Sequence, residues 1–126
     1  MGRFGRPPRE NIHALGLEMR PVDDPADAGA ISNTGSGFVR LVSVGAGGET
    51  RTLAAPLWEG QLLSLIDYTH VGNIVVTIAT LVNQTGNNTL TFGAANDHII
   101  LIGTMCSGGT LRWRVLYNDG VDLSSV

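Results

Sequence analysis

From residue 37 onward apolar and polar side chains alternate with a period of two, and turn residues interrupt the alternation roughly every 8–12 positions. The pattern predicts strands over residues 38–44, 49–53, 61–67, 73–81, 89–92, 98–102, 110–118 and 121–123. The chain is organised around residues 49–67, where two strands flank a connection through Ala54, Ala55, Pro56, Glu59 and Gly60. Pro56 has no N–H for a ladder, and Gly60 accepts the positive φ that a turn demands. The second of these strands carries Leu63 and Leu65 on one face and Leu62 and Ile66 on the other, with only Ser64 interrupting. In residues 73–81, Ile74, Val76 and Ile78 share one face while Val75, Thr77, Ala79 and Leu81 share the other. Residues 110–118 alternate most cleanly, with Leu111, Trp113, Val115 and Tyr117 expected inside and Arg112, Arg114 and Asn118 outside. About eight short strands over roughly 90 residues predict an all-β fold, a small antiparallel sandwich or jelly-roll-like barrel.

Residues 1–36 read differently. Four of the five prolines fall there, glycines recur, and no 3.6-residue period is sustained. The expectation is an extended N-terminal arm over residues 1–36 and a β body over residues 37–126. Strand character is expected around residues 15–19, and one helical turn at Asp23–Asp27 with Asp24 as cap and Pro25 at the first position. Such an arm becomes ordered only where something ties it down; a neighbouring subunit is the expected tether, with packing on its own body as the alternative.

Several strands are apolar on both faces, whereas a single small sandwich buries one face of each sheet. Leu62/Ile66, Ile99/Leu101 and Val75/Leu81 therefore stand out as candidates for a second burial site. At about 25 cal/mol per Å², covering a few such side chains contributes several kcal/mol, and a body of this size has a marginal core on its own. Self-association is the economical reading, though a curved sheet that buries both faces internally would serve as well. The four residues Leu62, Ile66, Ile99 and Leu101 are the candidate trimer interface.

Composition narrows the function. A hydrophobic share of 43% permits a real core, and 17 glycines without a three-residue period fit many turns rather than collagen. No apolar run approaches the ~18 residues of a membrane span. The first 16 residues carry arginines without the apolar stretch of a secretory signal, and Arg6 stands where myristoylation wants Ser or Thr. All eight basic residues are arginine. Residues 1–20 hold four arginines against two glutamates, and residues 21–126 hold four against nine acids, which makes +2 and −5 of the net −3. An acidic body without a basic cluster argues against direct nucleic-acid binding. The lone Cys106 makes no intramolecular disulfide.

The candidate chemistry is thin. His13, His70 and His98 lack metal-binding spacing, so no metal or other cofactor is expected. Asp97, His98 and Cys106 offer a nominal acid, base and thiol, but they are read as a turn cap, a strand start and an apolar filler. Glu49, Glu59 and Asp67 cluster only in sequence. The run Gly45-Ala46-Gly47-Gly48 lacks the helix and lysine of a phosphate loop. Asn83-Gln84-Thr85 and Asn87-Asn88-Thr89 match the glycosylation triplet but are also turn formers. Trp113 is expected to be buried and Trp58, beside Pro56 and Glu59, to be exposed. No enzyme constellation emerges.

The rhythm of residues 50–124, in TRTLAAPLWEGQLLSLIDYTH, NIVVTIA, NQTGNNTLTFGAANDHIILIG and LRWRVLYNDGVDLS, resembles small tailed-phage virion proteins, in the style of head decoration or cement proteins. The likeness covers about 60% of the chain and carries no catalytic motif. It implies a non-enzymatic protein on the outer surface of the capsid. Such a protein binds the assembled major capsid protein, stabilises the shell against internal DNA pressure, and works as a trimer that clamps neighbours with its arm. The arm's basic and apolar side chains, Arg3, Phe4, Arg6, Arg9, Ile12, Leu15, Leu17 and Met19, are the candidate contacts with capsid or neighbour, none carried over by motif. The alternative is a tail-fibre or head-spike module that binds host surface glycan, with Trp58 as its stacking platform. Neither implies a membrane partner.

Overall fold

The computed structural model describes residues 18–126. They form an all-β sandwich of two five-stranded sheets. The strands are β1 (Arg20–Val22), β2 (Gly29–Ala30), β3 (Gly37–Val42), β4 (Glu49–Leu53) and β5 (Leu62–Thr69). They continue as β6 (Ile74–Ile78), β7 (Thr89–Phe92), β8 (His98–Cys106), β9 (Thr110–Asp119) and β10 (Asp122–Ser124). One sheet runs β1-β3-β5-β8-β9, here sheet A, and the other β10-β7-β6-β4-β2, sheet B. All eight strands expected from the alternation form, as β3 to β10, and the two short edge strands β1 and β2 bring the number to ten.

The sheets are mixed rather than antiparallel. The first six strands alternate between the sheets, so the chain returns to each sheet after a pass through the other and arrives running in the same direction. Hence β1, β3 and β5 pair in parallel, as do β2, β4 and β6. From β7 onward every pairing is antiparallel. Turn residues mark where a strand ends but not which sheet the next one joins, so the expectation of antiparallel sheets had no signal of direction behind it.

The body also reaches back to Arg20, a correction to the boundary at Gly37. Strands β1 and β2 are only three and two residues long, too short to show a period, yet they edge both sheets. No helix forms at Asp23–Asp27. Ala26 and Ala28 take positive φ of 72° and 65°, and Asp24 turns inward. Residues 18 and 19 lie outside the strands, and residues 15–17 of the expected strand lie outside the described residues.

The core is built from the inward faces of both sheets. Val39, Leu41, Leu63, Leu65, Ile99, Leu101 and Trp113 meet Leu53, Ile74, Val76, Ile78, Leu90 and Phe92. Each such side chain contributes roughly 1.5–3 kcal/mol. Trp113 is fully buried, as expected, and its indole N–H donates to the Ala54 carbonyl at 2.8 Å. Tyr117 is not inside. A β-bulge between Ile100 and Leu101 sets Ile100 opposite Tyr117 and Leu101 opposite Val115, so Leu116 is the extra residue and Tyr117 turns to the outer face. It is 47% exposed.

Candidate interaction surfaces

The two outer faces differ in chemistry. Sheet A presents Phe38 on β3, Leu62, Ser64 and Ile66 on β5, and Ile100 and Ile102 on β8, all half-buried. The Ser64 hydroxyl and His98 Nε2 are 2.7 Å apart at its centre, and Tyr117 packs edge-on against the His98 ring at 5.6 Å. Arg40 caps one end, its guanidinium 6.0 Å from the Phe38 ring centre and 5.6 Å from that of Tyr68. Sheet B presents hydroxyls instead. Thr52, Thr77, Thr89 and Ser124 pair across four strands, Thr89 being buried, and Thr50, Val75, Thr91 and Asp122 form the neighbouring row. An apolar sheet face opposite a polar one marks sheet A as the better candidate for burial against a partner.

This divides the expected trimer interface. Leu62 and Ile66 lie on the outer face of sheet A. Ile99 and Leu101 do not, because both are fully buried in the core; Ile100 and Ile102 occupy the outer positions of β8. A strand apolar at every position does not disclose which face turns inward, and β8 takes the register that points Ile99 and Leu101 at sheet B. Val75 is half-buried on the outer face of sheet B, and Leu81 is exposed in the loop after β6. Of the arm contacts, Arg3, Phe4, Arg6, Arg9, Ile12, Leu15 and Leu17 lie outside the described residues; Met19 is half-buried just before β1.

Ionisable groups inside the sandwich hold the fold. On β4 the inward positions are Glu49, Arg51 and Leu53, and Arg51 is fully buried. Its guanidinium donates to both Asp24 oxygens at 2.7 and 3.0 Å and lies 3.0 Å from Glu49 Oε1. Burial pushes the Asp24 carboxyl up, but hydrogen bonds from Arg51 and from the Val42 and Ala26 N–H groups outweigh it and hold the group below its ordinary value. Glu49 is held low by the Val44 and Gly45 N–H groups and by Arg51. The hydrogen bond to Asp24 raises Arg51 further, against its desolvation. Asp67 on β5 is fully buried, and burial pushes its carboxyl up even though His70 Nδ1 sits 2.6 Å from Oδ2. Its Oδ1 has no hydrogen-bond partner among the described residues.

The remaining candidates are structural. The Asp97 carboxylate accepts from the Gly93 and Ala94 N–H groups, closing the turn before β8. His98 opens β8 and Cys106 closes it, about 26 Å apart at the rise of a strand, so acid, base and thiol never meet. Asn83 accepts from the Gly86 and Asn87 N–H groups and builds its own turn. Among the described residues no three His, Cys, Asp or Glu side chains gather as a metal site. No helix there is long and apolar enough to cross a membrane.

An open cleft of about 570 Å³ lies at the edge of sheet A, lined by Glu18, Arg20, Asp23, Ser32, Thr34 and Trp58 among others. Trp58 is 46% exposed, in accord with its position beside Pro56 and Glu59. Its loop is fixed from beneath by Gln61, which is fully buried. The Gln61 carbonyl accepts from the Leu57 N–H at 2.6 Å, and its amide donates to Asn33 Oδ1 at 2.6 Å and to the Gly35 carbonyl at 3.0 Å. Asn33 in turn donates to the Ala55 carbonyl. Gly103 on β8 lets this loop lie close, since a Cβ there would sit 2.5 Å from the Trp58 carbonyl oxygen. The alternation around residue 61 places Gln61 inward, a readable sign of a buried polar anchor. Nothing in the spacing announces Asn33 or Asp24 as partners, because each reaches in from an irregular loop.

No protein-family model matches the chain, and no curated protein matches it.

Proposed function

We propose that this protein is a non-enzymatic phage virion protein, a cement protein that binds the assembled capsid shell and stabilises it, as a trimer, on the outer surface of the head. The observation that carries the reading is the half-buried apolar outer face of sheet A, with Phe38, Leu62, Ile66, Ile100 and Ile102 side by side on neighbouring strands. Strand β1 edges that same sheet. The resemblance in strand rhythm over residues 50–124 supports the same class. The buried ionisable groups fit it too, since Arg51, Asp24 and Glu49 are occupied with one another. The partners are the major capsid protein and further copies of this chain.

A cement protein binds the folded shell and not its loose subunits, so it adds stability by linkage, about 3–4 kcal/mol per site at 100–1,000 times its dissociation constant. Particles lacking the protein are expected to adsorb to cells normally and to lose DNA at lower temperature or under osmotic shock. DNA release followed with an intercalating dye during heating, beside an adsorption assay, decides it. Unchanged thermal stability with failed adsorption would instead establish the tail-fibre or head-spike module that binds host glycan.

A further inference from the structure

We propose that the cleft beside Trp58 is a binding site for a neutral hexopyranose unit of a surface carbohydrate. A pyranose ring has one face of C–H groups and a rim of hydroxyls, and it needs an aromatic plane together with donors and acceptors at the edge. The cleft supplies both. The Trp58 indole is half-exposed and lines the cleft, and its Cη2 edge lies 3.9 Å from where a Gly35 Cβ would stand, so the Gly35 segment packs against that edge of the ring. Glu18, Arg20, Asp23, Ser32 and Thr34 line the remaining space. Carboxylates accept from vicinal sugar hydroxyls, and the guanidinium donates to them.

Two features favour a ligand over an ordinary surface hollow. The volume of about 570 Å³ falls within the roughly 300–1,000 Å³ typical of small-molecule sites. The walls are also preorganised. Fully buried Gln61 ties the loop carrying Trp58 to the segment carrying Asn33 and Gly35, so little ordering remains for a ligand to impose. The Glu18–Arg20 pair, 3.5 Å apart and exposed on both sides, is weak enough to exchange its partners for sugar hydroxyls. Two carboxylates against one guanidinium leave the cleft net negative, which selects neutral over anionic sugars. Phe38, Leu62, Ile66, Ile100 and Ile102 do not line the cleft, and the proposal does not rest on the shell-binding reading.

The test uses the full chain and the contrast between its two tryptophans. Trp113 is fully buried and serves as an internal control for Trp58. In two-dimensional NMR titrations with the methyl glycosides of glucose, galactose, mannose and N-acetylglucosamine at millimolar concentration, at least one should move the Trp58 indole N–H signal and leave that of Trp113 in place. Trp58→Ala should weaken that binding about tenfold or more, and Trp58→Phe should recover part of it. An unshifted Trp113 signal in each variant certifies the fold. If none of the four sugars moves Trp58, if Trp58→Ala binds as well as the parent, or if glucuronate binds as tightly as the neutral sugars, the assignment is overturned. Shell binding is measured separately and is unaffected by that failure.

Discussion

The Nε of Arg51 lies 2.7 Å from Oδ1 of Asp24, joining the middle of β4 to the segment between β1 and β2. This pair makes residues 20–36 part of the body rather than an appendage. Arg51 is fully buried, and Asp24 also accepts from the Val42 N–H at 2.9 Å, so one carboxylate binds a guanidinium and the end of β3 together. Removing it strands a charge inside the sandwich. Asp24→Ala is therefore expected to destabilise the fold by about 3 kcal/mol, at the low end for a broken buried pair because Glu49 still faces Arg51. The melting temperature should fall by roughly 10 °C. Deleting residues 1–36 should unfold the body, because it removes β1, β2 and Asp24. An unaltered circular-dichroism melt for this deletion would return the boundary to Gly37.

Acid should act on this protein in two opposed stages. The Asp67 carboxyl sits above its ordinary 3.8 because of burial, so the folded state holds that proton more tightly than the unfolded chain. Its contribution is complete below 3.8 and is lost as pH rises through the raised value. Asp24 and Glu49 sit below their ordinary 3.8 and 4.5, so their contribution is complete above those values and is lost as pH falls through the lowered ones. Stability should rise slightly on mild acidification from neutrality and then collapse in stronger acid. Asp67→Asn should remove the rise and keep the collapse. Urea unfolding across the pH range reads both, and a parent protein that only weakens on acidification would contradict the role given to Asp67.

Strand existence was legible because alternation is local, and facing was legible wherever polar residues broke the symmetry. Ile74, Val76 and Ile78 turn inward as the pattern requires, and Trp113 is buried between two arginines that are not. Where β8 is apolar at every position, the pattern offers no choice between Ile99/Leu101 and Ile100/Ile102, and only packing against sheet B decides. Tyr117 was misplaced by one extra residue, since a bulge reverses the facing of every position beyond it. Parallel pairing was hidden for a different reason. It depends on which sheet a connection crosses to, a non-local matter that Gly and Pro do not encode. The apolar surface candidates were half legible for the same reason: Leu62 and Ile66 have Ser64 between them to mark the outer face, and β8 has no such mark.

The facing of Leu62 and Ile66 leads to a test of self-association. Both project from β5 on the outer side of sheet A, half-buried beside Ile100 and Ile102 of the adjacent strand. In a closed ring of identical copies the same patch is used by every subunit, so one substitution introduces its cost at every interface. A carboxylate placed there stays solvated in the monomer and is desolvated without a partner in the assembly, a penalty of several kcal/mol per buried ion. Ile66→Asp should therefore weaken self-association by at least about 100-fold, or roughly 2.7 kcal/mol, while shifting the monomer's melting temperature by only a few degrees. Thr52→Asp, on the hydroxyl face of sheet B, places the same charge on the other side of the sandwich and should leave association unchanged. Sedimentation velocity over a wide concentration range separates the cases. A parent protein that remains strictly monomeric would confine assembly to the shell. An equal loss with Thr52→Asp would move the interface off sheet A, because the two positions share a charge change and differ only in the face that carries it.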